Sequence, residues 1–241
     1  MSEIHLVLQG KGGVGKSVVS AFLTQQKLDQ GRSVLGIDTD PVNGTFSDYS
    51  SLGATYLDIM EGEDINPRKF DSLIEEIINS KSDVIVVDNG ASCFIPLASY
   101  IQGNQVIELL CEMGHDVFIH TVVVGGPAQK DTILGFASIS ESFKGSGASL
   151  VVWLNEFWGP IEQAGKGFEQ MKAYKDNSDF VHSIIVIPEQ KKETFGEDIR
   201  QMLTAKLTFD EAIESSDFQL MAKQRLKMVK KQLFENMAVA V

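Results

Sequence analysis

The 241-residue sequence predicts an α/β protein built on a doubly wound, mostly parallel sheet with helices on both of its faces. Two observations carry that prediction. Short apolar runs alternate with helix-length segments along the chain, which is the order of βαβ units. Several of these runs, Val84-Ile85-Val86-Val87 most clearly, are apolar at every position, as a strand must be when helices cover both sides of the sheet.

Residues 4–9 read as the first strand, followed by a glycine loop and then by a helix that carries Val18, Val19, Phe22 and Leu23 on one side. Gly31 closes that helix. Further strands are predicted at 33–38, 84–88, 117–124, 150–154 and 184–187, with helix-length segments between them. Gly145-Ser146-Gly147 reads as a loop within the domain. From Phe218 onward, Ala222, Leu226, Val229, Leu233 and Met237 form one helical stripe flanked by Lys223, Arg225, Lys227, Lys230 and Lys231. This predicts a basic amphipathic helix near 217–236, either packed on the sheet or laid on an anionic membrane or a DNA backbone. The sequence contains no internal repeat and no Pro/Ser-rich linker, so 1–241 is expected to form a single domain.

A net charge of -12, from 33 acidic against 21 basic residues, argues against a protein whose main business is coating nucleic acid or anionic lipid. The two cysteines, Cys93 and Cys111, form no Cys-x-x-Cys pair, which suggests neither a disulfide framework nor a zinc site and fits a reducing cytosol. No run reaches the roughly 18 apolar residues of a membrane span. A cytoplasmic protein, at most peripheral at the inner membrane, is expected.

The chemistry is concentrated at Gly10-Lys11-Gly12-Gly13-Val14-Gly15-Lys16-Ser17, which satisfies the G-x-x-x-x-G-K-[ST] pattern between a predicted strand and a predicted helix. Glycines let the backbone curl until consecutive N–H groups converge, and the helix start adds its positive end. Such a P-loop holds phosphates. Lys16 is expected to face the β- and γ-phosphates, and the Ser17 hydroxyl to take a position on Mg²⁺, which prefers oxygen ligands. Asp88 ends the apolar run at 84–87, the arrangement that delivers an acid to a magnesium site. Asp38-Thr39-Asp40-Pro41 closes the second predicted strand, at the sheet edge where ligands of open α/β folds collect. The sequence lacks the Asn-Lys-x-Asp signature of guanine recognition, which favours ATP.

The string Lys11-Gly12-Gly13-Val14-Gly15-Lys16-Ser17 resembles the deviant Walker A motif of the ParA/MinD family, whose early lysine is the signature residue. The resemblance implies an ATP-dependent homodimer in which Lys11 reaches the partner's phosphates and neutralises charge developing on the γ-phosphoryl. It further assigns Asp38 to the magnesium environment, Asp40 to orienting the attacking water, and Asn155 and Pro188 to the adenine. Asn89-Gly90-Ala91-Ser92 departs from the proline common in the family's second switch. A narrower likeness, carried by Gly36-Ile37-Asp38-Thr39-Asp40-Pro41-Val42-Asn43, Val86-Val87-Asp88-Asn89-Gly90-Ala91-Ser92, Trp158-Gly159-Pro160 and Leu207-Thr208-Phe209-Asp210, is to TraL-type conjugative transfer proteins. It implies a component of plasmid DNA transfer and a slow, magnesium-dependent ATPase. The alternative is a nucleotide-gated binding module with negligible turnover. An electron-transfer protein with Cys93 at a cluster is a third class, disfavoured because a cluster needs four thiolates. Phe157 and Trp158 pose a choice between an exposed partner contact and a packed lid over the base, with packing expected.

Overall fold

In the computed structural model, which describes residues 1–240 and gives Lys192 by its backbone alone, seven parallel strands form the central sheet. They are β1 (Glu3–Val7), β2 (Val34–Asp38), β3 (Thr55–Tyr56), β4 (Val84–Asp88), β5 (Asp116–Val124), β6 (Ser149–Asn155) and β7 (Val181–Ile187), in the order β7-β6-β5-β1-β4-β2-β3. Two short antiparallel hairpins, at 60–65 and 162–167, lie outside it.

The apolar runs work as their composition predicts. Ile85 and Val87 belong to the core on one face, with Leu6, Ile119 and Val152. Val84 and Val86 belong to the core on the other, with Val7, Val122 and Trp153. Burying each such side chain contributes roughly 1.5–3 kcal/mol relative to leaving it in water, so a polar residue at any of these positions would be felt. The second face is covered by α1 (Lys16–Asp29), α7 (Glu197–Thr204), α8 (Phe209–Glu214) and α9 (Leu220–Ala240). The first is covered by α2 (Lys69–Asn79), α3 (Phe94–Gly103), α4 (Val106–Glu112), α5 (Gln129–Phe143) and the short α6 (Lys172–Lys175).

Gly31 ends α1 as the glycine predicts: at φ 76° it lets its own N–H reach the Leu28 carbonyl (2.9 Å) and the Arg32 N–H reach that of Lys27 (3.1 Å). Boundaries differ from the sequence reading where tertiary contacts decide them. β7 begins at Val181, three residues earlier than expected, because an edge strand needs no outward apolar pattern. The C-terminal helix runs over Leu220–Ala240 rather than 217–236. Its start is delayed by a turn in which the Asp217 N–H donates to Ser215 Oγ (3.1 Å), and its end is carried on by Met237 and Ala240, buried against the sheet. Ser183 Oγ donates to the Ala240 carbonyl there, at 3.1 Å.

The apolar stripe of that helix packs on the sheet. Ala222, Leu226, Leu233 and Met237 face the core, Arg225 pairs with Asp198, and Lys230 lies 2.9 Å from both Asp29 and Asp210. With Lys231 3.9 Å from Glu235, three of the five basic residues are therefore already paired within the chain. Among the described residues, no helix is long and apolar enough to cross a membrane.

The sheet also holds a buried polar chain that composition does not reveal. Trp153 Nε1 donates to His120 Nδ1 at 2.9 Å, which leaves the proton of neutral His120 on Nε2, 2.9 Å from His5 Nδ1. The remaining His5 nitrogen faces Glu3 Oε2 at 3.5 Å, and Glu3 is shared with Lys27 and Arg32. One indole thus sets the tautomers of both rings. Burial lowers the pKa of both histidines, while contacts with His5, Arg32 and Lys27 hold the Glu3 carboxyl well below the usual range.

Candidate functional site

The glycine loop leaves the carboxyl end of β1 at the centre of the sheet, where β4 and β5 flank it on either side. This is the topological switch point of an open α/β sheet. Gln9 anchors the loop's entrance: its buried Nε2 donates to the Val122 carbonyl at 3.0 Å and to that of Thr132 at 3.3 Å. A Cβ on Gly135 would fall 2.1 Å from Gln9 Oε1, so α5 needs a glycine opposite this anchor. Gly13 (φ 73°) and Gly15 (φ 102°) take left-handed conformations, and Gly15 caps α1 with no side chain on the first-turn N–H groups. Those donors and the helix dipole are left free of a side-chain cap, as an anion site requires.

Lys16 is buried in this loop and its Nζ donates to the Lys11 carbonyl at 3.3 Å. Burial lowers its pKa, against the opposing pull of Asp88 and Asp40, so its charge sits in a poorly hydrated place where phosphate oxygens would be strong partners.

The strand-end acids are neighbours by register, Asp38 beside Asp88 across β2 and β4. Asp88 is buried. Its Oδ1 accepts from Ser20 Oγ at 2.8 Å, and its Oδ2 has no hydrogen-bonding partner among the described residues. Burial pushes its carboxyl up to about 7, with Asp38 adding to the rise and Ser17, Ser20 and Lys16 opposing it. A buried, unpartnered carboxylate oxygen near a serine hydroxyl is a donor set that fits Mg²⁺, which commonly takes one or two protein oxygens and completes its shell with phosphate and water. Among the described residues, no group of three or more His, Cys, Asp or Glu side chains stands ready for a metal, so such an ion would depend on phosphates for its remaining ligands.

Asp38 is held by the backbone around it. Its Oδ1 accepts the Asp40 N–H (3.0 Å) and its Oδ2 accepts those of Phe46 and Ser47 (both 2.9 Å). The carboxylate clamps the loop that follows β2, and its charge acts on Asp88 beside it. That loop carries Asp40 to the rim of the phosphate cleft, where its Oδ1 accepts the Val42 N–H at 2.9 Å. Gly90 lies against Asp40: a Cβ there would lie 2.7 Å from Asp40 Oδ1 and 3.0 Å from its Cα. Glycine is what lets the two loops meet.

The cleft has a volume of about 520 Å³ and brings together Gly12, Gly13, Gly15, Lys16, Ser17 and Asp40. Gly13, Gly15 and Val18 are shared with a second cavity of about 210 Å³, which Asn155 and Pro188 line. Asn155, expected at the base, has both ends of its amide engaged: Nδ2 donates to the Val14 carbonyl (3.0 Å) and Oδ1 accepts the Phe157 N–H (3.2 Å). It fastens the exit of the glycine loop to β6. Lys11 stands apart from the other site residues, half-exposed, its Nζ 2.8 Å from Asp131 Oδ2 in the first turn of α5. Phe157 and Trp158 are 39% and 58% exposed, which overturns the expectation that they pack.

A glycine cradle on a helix start, a buried lysine and two strand-end acids define a P-loop α/β protein. Residues 5–207 match the CobQ/CobB/MinD/ParA nucleotide binding domain, and the chain belongs to that nucleotide-binding family. A protein TraL of Escherichia coli is 53% identical over 240 residues, spanning 100% of this chain and 99% of its own. Among solved structures, the cell division ATPase MinD of Pyrococcus furiosus superposes with a TM-score of 0.59 at 18% identity, over 100% of both chains. The septum site-determining protein MinD of Pyrococcus horikoshii OT3, complexed with Mg-ADP, does so with a TM-score of 0.54 at 16% identity, over 100% of this chain and 99% of that one. At such identities these two establish the fold alone.

Gln9, Ser20, Gly90 and Gly135 escaped the sequence reading. Each acts through a partner distant in sequence, so no spacing rule points to it. Only the Asn89-Gly90 departure gave a signal.

Proposed function

We propose that the chain binds Mg-ATP and hydrolyses it slowly as a nucleotide-switched homodimer, acting as a component of plasmid conjugative DNA transfer, with 1–241 working as one nucleotide-binding unit. The observation that carries this reading is the buried Lys16 ammonium at the start of α1, beside a glycine cradle and an Asp88 oxygen that has no partner among the described residues. Lys16 and the loop N–H groups hold the β- and γ-phosphates. Ser17 and Asp88 would hold Mg²⁺, with Asp38 in its environment, and the ion when bound neutralises charge on the phosphate oxygens. Asp40, at the cleft rim, orients water toward the γ-phosphate. Lys11 belongs to the neighbouring subunit's site. Its present partner Asp131 is exposed, and an exposed ion pair costs little to exchange for phosphate oxygens. The cavity bearing Asn155 and Pro188 receives the adenine.

A second reading, a nucleotide-gated positioning module with negligible turnover at the membrane or on DNA, draws support from one feature: Lys11 and Asp40 are both engaged within the chain. Phosphate release with and without transfer proteins separates the two. The phosphate site itself is tested by Lys16→Ala, which should lower Mg-ATP affinity at least about 100-fold in calorimetry, since it leaves phosphates without their buried charge. A folded mutant that binds as the parent does would remove the site.

A further inference from the structure

The cavity beside the phosphate cleft is walled by Val18, Ile187, Pro188, Ile199 and Leu203, and among the described residues that line it none carries a charge. Its occupant must be uncharged and largely apolar in contact, and must continue from a group seated on Gly13 and Gly15, which the two spaces share. At its mouth stand Phe157 and Trp158, ring centroids 5.0 Å apart and planes at 89°. The other tryptophan, Trp153, is fully buried, whereas Trp158 keeps more than half of its surface in water.

The turn that carries these rings is firmly mounted. Asn155 accepts the Phe157 N–H and, through the other end of the same amide, holds the Val14 carbonyl of the glycine loop. Gly159 is left-handed at φ 113°, and a Cβ on Gly125 would fall 2.3 Å from the Gly159 carbonyl oxygen, so the turn lies directly on the end of β5. One side chain therefore couples the aromatic turn to the phosphate cradle.

We propose that Trp158, backed edge-on by Phe157, is the stacking residue for the nucleobase, closing the base cavity over a ring whose phosphates lie on the glycine loop. This rests on the nucleotide reading above. Every base has a π-face, and exposed aromatics are the usual means of holding one. Asn155 then acts as a positioning residue, keeping clamp and cradle in register.

The test compares Mg-ATP with inorganic tripolyphosphate, which has no base, by calorimetry on the full chain. The parent should bind ATP more tightly than tripolyphosphate. Trp158→Ala should weaken ATP by about tenfold, leaving tripolyphosphate unchanged, and Trp158→Phe should restore most of the loss. Trp158 is exposed enough for both variants to fold. A Trp158→Ala protein that binds ATP as the parent does, or a parent that binds ATP no better than tripolyphosphate, overturns the clamp and leaves the aromatic pair to a macromolecular partner. A parent that binds neither ligand overturns the nucleotide reading itself.

Discussion

Asp38→Asn separates a clamp from a metal ligand. In the parent, Oδ2 accepts the N–H groups of Phe46 and Ser47, both at 2.9 Å. An asparagine that keeps its carbonyl toward Asp40 turns an NH₂ group toward those two donors. Hydrogen bonds to a charged acceptor are worth about 1.5–3 kcal/mol each, which sets an upper bound of about 3–6 kcal/mol. Phe46 is fully buried and its N–H stays orphaned, but Ser47 is only partly buried and regains water. Removing one of two neighbouring negative charges also relieves Asp88. A net loss of about 3 kcal/mol is expected, lowering Tm by roughly 6–12 °C for a chain of this length. The assay is thermal unfolding without nucleotide and with a chelator present. A mutant with the parent's Tm under those conditions, but with weakened magnesium-dependent binding, would refute the clamp and return Asp38 to the metal.

Gly90→Ala forces Asp40 from its place, because the new methyl sits 2.7 Å from Oδ1 and 3.0 Å from the backbone Cα. Turnover should fall about 10–100-fold with ATP affinity changed less than about threefold, since misplacement of a water-orienting group acts on the transition state; equal phosphate release in mutant and parent would contradict it. Lys11→Ala should leave ATP affinity at low protein concentration within about twofold while weakening ATP-dependent dimerisation and hydrolysis together. Sedimentation with a non-hydrolysable analogue decides, and identical dimer fractions would return Lys11 to its surface pair with Asp131. His5 and His120 are buried neutral, with pKa values lowered by burial, so the unfolded chain takes up protons near pH 6.5 that the native protein refuses. Their stabilising effect is complete above that pH and is lost as pH falls toward the lowered native values. Asp88, raised to about 7, works in the opposite sense over part of the same range, so the readable quantity is a difference. His120→Gln should reduce the loss of stability below pH 6.5 by up to about 1.4 kcal/mol per pH unit; urea midpoints that track the parent's across pH 5–7 would refute it.

The glycine cradle, the strand that delivers Asp88 and the parallel sheet were legible in the sequence because each depends on local spacing. A phosphate loop must be one continuous segment, and a strand covered on both faces must be apolar at every position. Those constraints act between residues a few positions apart. What each acid does once delivered was not legible. Asp38 and Asp88 both end strands, yet one accepts three backbone N–H groups and the other keeps an oxygen without a partner among the described residues.

By itself the sequence determined that this chain is an α/β protein with a P-loop glycine pattern at 10–17, because helix and strand periods and the glycine pattern are written in consecutive residues. Only the tertiary structure decided that Asn155 ties Val14 to the aromatic turn, that Gly90 makes room for Asp40, and that Lys11 rests on Asp131. These contacts join segments dozens of residues apart. They depend on the order in which the strands lie in the sheet, and that order is fixed by packing across both faces rather than by any one stretch of the chain.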